Sequence, residues 1–129
     1  MLLNLMPQHQ NIVSIHPYFK ADPGQLETFK NLLPAFCAKT AEEPLCLAYD
    51  FTISGDIIFC REAYIGAEGA LAHISNVGTL LDEAMKISQL LRLELHGSAE
   101  ELDKLRPHLS GLNPTWFVLE CSMSKAGAS

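Results

Sequence analysis

The chain lacks several features that would place it in a well-marked class of proteins. Its nine basic residues are scattered among fifteen acidic ones, which gives a net charge of −6. Because no basic cluster could follow a phosphate backbone, we expect neither nucleic acid nor a membrane surface as a partner. No apolar run approaches the ~20 residues that span a bilayer. Residues 1–10 also lack the basic region of a secretory signal, so none is expected.

Closely spaced cysteines are also missing. No two of the four cysteines lie within four residues of each other, so the chain has no CxxC redox or zinc pattern. We therefore expect reduced thiols in a cytoplasmic protein, where they act as small hydrophobic side chains. Neither a P-loop, GxGxxG or HExxH motif nor a Ser-His-Asp order occurs. This argues against phosphate cradles and against a peptidase-type metal site.

What is present is enough apolar material for one folded domain. Hydrophobic residues make up 48% of the 129 residues and charged residues 19%, which is typical of a globular chain. Residues 1–10 show no periodicity, and the residues after 122 are small and polar. The sequence therefore predicts a flexible arm at 1–10, a single domain at 11–122 and a frayed tail at 123–129.

The hydrophobic periodicity predicts alternating strands and helices. Period-two alternation indicates strands at 11–19, 45–53, 57–65, 89–96 and 115–122. Helical spacing indicates helices at 22–43, 67–85 and 98–109. The order is β-α-β-β-α-β followed by an added α-β. This predicts an α+β, ferredoxin-like fold with helices on one face of a sheet.

Local signals refine the helices. Asp22 is expected to cap the first helix, and Pro34 to kink it. Gly78 is expected to break or bend the second helix. Ser98 and Glu101 form a capping box that opens the third.

The sheet face away from the helices is expected to be partly apolar. Alternation assigns to it Ile12, Ile58, Tyr64, Leu90, Trp116 and Val118, beside His16, Asp50, Glu62, Arg92 and Glu94. Large apolar patches are rare on monomers, so this face predicts an isologous homodimer. Two sheets packed ~10 Å apart could enclose a small ligand between them.

One stretch carries a family resemblance. Phe59-Cys60-Arg61-Glu62-Ala63-Tyr64 is followed by a helix with His73 and later by Leu80-Leu81-Asp82-Glu83. This resembles the antibiotic biosynthesis monooxygenase superfamily of dimeric α-β barrels, over roughly residues 11–97. The resemblance implies a pocket between helices and sheet or inside the dimer. It also implies oxidation of a small aromatic, phenolic or quinol substrate without a metal or flavin cofactor.

The resemblance also suggests roles for individual residues. It makes His73 the acid or base and Tyr64 a second catalytic group. The alternative for His73 is a boundary histidine bonded to backbone. Glu62 is either a polar anchor for the substrate or the partner of Arg92 in a structural ion pair. Three further candidate substrate contacts are His16, Arg92 and Trp116, of which Trp116 equally suits an interface.

Two other functions stay open. Haem-degrading relatives combine asparagine, tryptophan and histidine. Asn11 and His73 could supply two of these, but Tyr64 replaces the tryptophan. A non-catalytic, ligand-binding dimer would use the same scaffold. His96 and Glu94 lack a third ligand in the sequence, so no metal site is expected.

Overall fold

The structure, a computed structural model, describes residues 11–123. Within that range the elements are β1 (Ile12–Ala21), α1 (Leu26–Thr40), β2 (Cys46–Ser54), β3 (Ile57–Ile65), α2 (Gly66–Asn76), α3 (Gly78–Lys86), β4 (Ser88–Gly97), α4 (Ala99–Leu109), a 3-10 turn (Ser110–Leu112) and β5 (Thr115–Val118). The arm and nearly all of the tail predicted from the sequence lie outside the described residues.

The strands form one sheet in the order β2-β3-β1-β4-β5. The pairs β1·β3, β1·β4 and β2·β3 are antiparallel, whereas β5 lies parallel to β4 of its own chain. This is the ferredoxin-like βαββαβ arrangement with an added αβ, so the predicted fold class is confirmed. No helix of the described part is long and apolar enough to cross a membrane.

The structure confirms two of the four local helix predictions, and Pro34 lies inside the single helix α1. The second helical segment is broken at Val77 into α2 and α3, next to Gly78. The hydroxyl of Ser98 accepts a hydrogen bond from the Glu101 backbone N–H at 3.2 Å, as the capping box predicts. The predicted start at Asp22 is wrong: α1 begins at Leu26, because Gly24, at φ 78°, forms a turn first.

The face of β3 that packs against the helices is the opposite of the predicted one. Ile58, Glu62 and Tyr64 were expected on the open face but are buried beneath the helices. Pairing fixes this orientation, because Tyr64 lies opposite Val13 and Glu62 opposite Ile15. Both faces of β3 are largely apolar, so alternation could not distinguish them. The polar Glu62 was therefore assigned to the wrong side.

Irregularities in strand pairing explain why two strand leucines are exposed to solvent. A register shift where β4 pairs with β1 leaves Leu91 unpaired and 52% exposed, although strict alternation along the strand would place it on the same face as the buried Leu93 and Leu95. A similar shift in β2 exposes Leu47. One inserted residue moves side chains to the opposite face, and a sequence pattern does not reveal it.

The core lies between the sheet and the helices in two clusters. One packs Val13, Tyr64 and Leu95 against α2 and α4, and the other packs Phe19 and Ile58 against α1 and α3. Trp116 also lies on this side. It packs against the first cluster with the Arg106 guanidinium 4.5 Å from its ring, not on the open face as predicted. The last strand is also shorter than the predicted 115–122.

Candidate functional site

A cavity of about 270 Å³ lies between the helices and the inner face of the sheet. Most of its lining is apolar and comes from β1, β2, β3, β4 and all four helices. At one end lie the buried side chains of Glu62, His73 and Cys60. The exposed side chains of Asp82, Met85 and Leu112 also line the cavity and mark where it opens to solvent. The cavity is therefore an apolar chamber with one polar end.

Glu62 is the carboxyl group at this polar end. The Tyr64 hydroxyl donates a hydrogen bond to its Oε1 at 2.6 Å. No lysine or arginine pairs with it among residues 11–123. Burial raises the pKa of Glu62 to about 7, despite the opposing hydrogen bonds from Tyr64 and Cys60. A carboxyl group that titrates near neutral pH can both accept and donate a proton there.

His73 lies between two carboxylates. Its Nε2 is 3.4 Å from Oε1 of Glu62, and its Nδ1 is 2.9 Å from Oε2 of Glu43. Burial lowers the pKa of His73, whereas the bond to Glu43 acts in the opposite direction. With Nδ1–H donated to Glu43, the Nε2 lone pair faces Glu62. The ring is also held between Tyr49 and Tyr64, with each centroid at 4.9 Å.

The loop between α1 and β2 holds Glu43 in place. The Glu43 backbone N–H donates to the Thr40 carbonyl at 3.0 Å, which continues the end of α1. The Asn76 amide donates to Oε2 of Glu43 at 2.8 Å and to the Lys39 carbonyl at 3.0 Å. Asn76 thereby ties the ends of α1 and α2 together around the carboxylate, so Glu43 and His73 form one fixed unit.

The structure brings some of the sequence-predicted residues together. His73 and Glu62 both line the cavity. Tyr64 lies behind Glu62, is fully buried and does not line the cavity, because its hydroxyl is bonded to the carboxylate. Its position suits holding Glu62 rather than touching a ligand. The expectation that His73 could be a boundary residue bonded to backbone does not fit its two carboxylate contacts.

The other predicted residues lie elsewhere. His16 and Arg92 project from the open face of the sheet, where His16 stacks on Phe59 and Arg92 bonds to Glu94. The expected ion pair between Glu62 and Arg92 is therefore wrong, since the two side chains lie on opposite faces. Trp116 packs beside α4, outside the cavity lining.

Sequence reasoning missed two residues of the site. Tyr49 lies in the predicted strand 45–53 without an assigned role, yet its ring lines the cavity and contacts His73. Burial raises its pKa well above the ordinary value, so its hydroxyl stays protonated. Glu43 follows the end of a helix and precedes Pro44. Nothing in that local pattern indicates a partner thirty residues away.

The described residues offer no cluster for a metal. No group of three His, Cys, Asp or Glu side chains within 11–123 is arranged to bind an ion. The polar end of the cavity holds one histidine, and both of its ring nitrogens face carboxylates. The arrangement suits proton transfer within a nonpolar chamber.

Solved structures supply the informative comparisons. MupZ from Pseudomonas fluorescens is 38% identical, with a TM-score of 0.87 over 93% of this chain and 94% of that one. A candidate antibiotic biosynthesis monooxygenase from Nitrosomonas europaea superposes with a TM-score of 0.62 at 18% identity, over 70% of this chain and 92% of that one. A protein so described from Caulobacter crescentus gives 0.59 at 19% identity, over 67% and 88%.

The two classes of match carry different weight. Similarity to the N. europaea and C. crescentus proteins at under 20% identity shows a common fold. The match to MupZ extends over nearly the whole of both chains at a much higher identity. No protein-family model matches this chain, and no curated protein sequence does.

Proposed function

We propose that this chain, which shares the fold of proteins described as antibiotic biosynthesis monooxygenases, belongs to that superfamily and is a cofactor-independent monooxygenase-like enzyme. Its substrate would be a small aromatic, phenolic or quinol compound bound in the cavity beneath the helices. One observation carries the proposal: Glu62, a buried carboxyl group with a pKa of about 7, faces an apolar chamber beside His73.

Proton removal is the step that these residues can perform. A phenol is a poor electron donor, whereas its phenolate is a good one, so the reaction needs a base near the hydroxyl. Glu62 accepts that proton, and once protonated it can donate to the Nε2 lone pair of neutral His73. Hydroquinone plus O₂ gives hydroxyquinone plus water. One oxygen atom enters the ring, the other leaves as water, and the substrate supplies every electron.

The chamber contributes by excluding water. Its lining is dominated by aliphatic and aromatic side chains, among them Ile15, Phe29 and Leu93. Such surroundings favour binding of an aromatic ring and strengthen the electrostatic effect of the few polar groups. Tyr64 donates to Glu62 and fixes its orientation, so in this proposal it acts as a positioning residue.

Oxygen uptake tests this function. The chain is mixed with a panel of substituted hydroquinones, and O₂ consumption and quinone absorbance are followed. We expect turnover above buffer that falls by about a hundredfold in Glu62→Gln, because loss of a positioned base has that order of effect. Glu68→Gln, an exposed carboxylate at the start of α2, is the matched control and should retain activity. Absence of turnover with every quinol removes the proposal.

The proposal includes a homodimer formed through the open face of the sheet. That face carries Tyr18, Phe59 and Phe117, which stack with each other or with the histidines His16 and His96. Such an aromatic surface is unusual on a monomer, and a second copy would cover it with a twofold interface.

Sedimentation velocity tests the dimer. The chain should sediment as a dimer, and Phe59→Glu should shift it to a monomer because a carboxylate would be buried in the interface. Lys30→Glu, on the exposed surface of α1, is the control and should stay dimeric. A well-folded monomer at high concentration contradicts this part of the proposal.

A second candidate function is ligand binding without chemistry. It is favoured by the placement of Trp116 outside the cavity, which leaves the chamber without a tryptophan to stack on a substrate. Ligand-dependent thermal stabilisation without product formation would support it. Haem cleavage is disfavoured, because both ring nitrogens of His73 face carboxylates and Asn11 is exposed before β1. A Soret shift on adding haem would reverse that judgement.

A further inference from the structure

A second, more open pocket of about 270 Å³ lies on the outside of the wall that bounds the cavity. It is lined by residues from the end of α1, the following loop and the start of β2, including Thr40, Glu43 and Cys46. Glu43 borders this outer pocket but not the inner cavity, whereas His73 borders the inner cavity but not the outer pocket. The bond between Glu43 and His73 therefore crosses the wall that separates the two spaces.

We propose that His73 and Glu43 form a proton path that connects Glu62 in the inner cavity with water in the outer pocket. The inference rests on the proposed function, in which Glu62 takes a proton from the substrate. An apolar ligand that fills the chamber excludes water from Glu62, so this proton needs a route other than the cavity mouth. The three side chains supply an unbroken series of contacts: Glu62 to Nε2 at 3.4 Å, and Nδ1 to Glu43 at 2.9 Å.

The other groups around Glu62 cannot serve as this route. Tyr64 and Cys60 are fully buried, and burial raises the pKa of both far above neutrality. Tyr49 contacts His73 from β2, and its pKa is raised as well. Among the described residues that contact the polar end of the cavity, His73 is the one whose second ring nitrogen bonds to a residue bordering the outer pocket.

The transfer balances without any further reagent. A proton from Glu62 adds to Nε2 of His73, and the proton on Nδ1 passes to Glu43 and then to water. The ring is left as the other tautomer. When the oxidation forms water, a proton returns from Glu43 to Nδ1, and the proton on Nε2 passes back to Glu62. Glu62 then gives this proton to the oxygen atom that leaves as water, so Glu62 is again a carboxylate and His73 is again in its starting tautomer.

The position of Glu43 fits a path better than a purely orienting role. A carboxylate that only fixed the imidazole could be enclosed in the core, but Glu43 lines a pocket that is open to solvent. Asn76 holds Oε2 of Glu43 against His73 at the same time. Glu43 is therefore anchored toward the ring while it remains within reach of water.

The rate at which Glu62 loses its proton tests this inference. The chain is jumped from about pH 6 to about pH 9 in a rapid-mixing infrared experiment. The carbonyl stretch of the protonated carboxyl group is followed, and it is assigned to Glu62 by its absence in Glu62→Gln. Ordinary carboxyl groups are already ionised at the starting pH, so the band isolates Glu62. No substrate is needed, so the result does not depend on finding one.

We expect Glu43→Gln to slow the loss of this band by about a hundredfold while the final amplitude stays the same. Millimolar imidazole, which can enter the outer pocket, should restore the rate. Glu42→Gln, on the same loop but exposed, is the matched control and should behave as the unaltered chain. If Glu43→Gln does not fold, Glu43→Asp takes its place, because the shorter side chain draws the carboxylate back from Nδ1.

Two negative results have different meanings. If Glu62 titrates normally but the rate in Glu43→Gln is unchanged, the proton leaves by another route and the path is overturned alone. If the unaltered chain shows no Glu62 band that changes between the two pH values, the acid–base role of Glu62 is overturned, and the path with it.

Discussion

The two faces of the sheet each carry a glutamate in contact with a histidine, and the two glutamates behave in opposite ways. On the inner face, burial raises the pKa of Glu62 to about 7, and no lysine or arginine pairs with it among residues 11–123. On the outer face, the bond from Arg92 is the main reason that the pKa of Glu94 is lowered. The difference lies in the partner and in access to water, since the residue types are the same.

This contrast shows why function follows from surroundings rather than from residue type. Glu94 forms a surface cluster with Arg92 and His96, and its lowered pKa keeps its carboxylate ionised at neutral pH. Glu62 is held in an apolar chamber without a neutralising arginine or lysine. Only a carboxyl group of the second kind can exchange a proton near neutral pH. The contrast can be tested by exchanging single groups on each face.

The largest expected effect is the change in the free energy of unfolding caused by Glu62→Gln. Its pKa is about 7 in the folded chain and near the ordinary 4.5 when unfolded. The folded state therefore binds the proton more tightly, and stability is lost as pH rises from about 4.5 through about 7. That interval corresponds to at most about 3 kcal/mol. Glu62→Gln, which lacks this loss, should be more stable than the unaltered chain by up to that amount at pH 9 and nearly equal to it near pH 4.5.

Urea unfolding at the two pH values measures this difference. Glu94→Gln is the matched comparison on the outer face and should have the opposite sign, costing up to about 1 kcal/mol at neutral pH. If Glu62→Gln were destabilising at every pH, other contacts would have to offset the cost of burying the Glu62 carboxylate. The contrast between the two faces would then fail.

A smaller effect is expected at Tyr64. Tyr64→Phe removes the donor to Glu62 and leaves its carboxylate without that bond. The expected cost is about 2 kcal/mol at pH 9, where Glu62 is charged, and about 1 kcal/mol at pH 5, where it is neutral. The pKa of Glu62 should also rise further. Tyr18→Phe, on the outer face, should cost less than about 0.5 kcal/mol at both pH values. If the cost of Tyr64→Phe did not depend on pH, Tyr64 would not be the donor to a carboxyl group that ionises between pH 5 and pH 9.

The sequence predicted the elements well, because alternation and helical spacing are local properties. The hairpin of β2 and β3 around Ser54, Gly55 and Asp56 and the break beside Gly78 illustrate this. The faces were harder to predict. On β3, Ile57, Phe59 and Ile65 are as apolar as the residues that the structure buries. Which face of β3 is buried depends on how the strand packs against α1 and α2, and that packing is a tertiary property.

The site was predictable only in part for the same reason. His73 and Glu62 lie in the stretch that carries the family resemblance, and the structure brings both to the cavity. Glu43 joins them from a loop thirty residues before His73. That contact depends on how the ends of α1 and α2 meet, which no local pattern encodes. Trp116 was misplaced because the face of a four-residue strand at the sheet edge is weakly specified by alternation.

The smallest expected effect is on the outer ion pair, and it depends on whether that face is covered. Arg92 is half-exposed, so Arg92→Gln should cost less than about 1 kcal/mol in dilute protein, and 1 M salt should remove most of that cost. Because the pKa of Glu94 is lowered, the contribution of the ion pair to stability exists above pH 4.5 and is lost as pH falls through the folded value.

In a dimer closed over this face, the pair of Arg92 and Glu94 would be desolvated. The cost of Arg92→Gln should then grow with protein concentration and resist salt. Unfolding curves at two protein concentrations measure this dependence, and a small, salt-sensitive cost at both would mean that the face stays open to water.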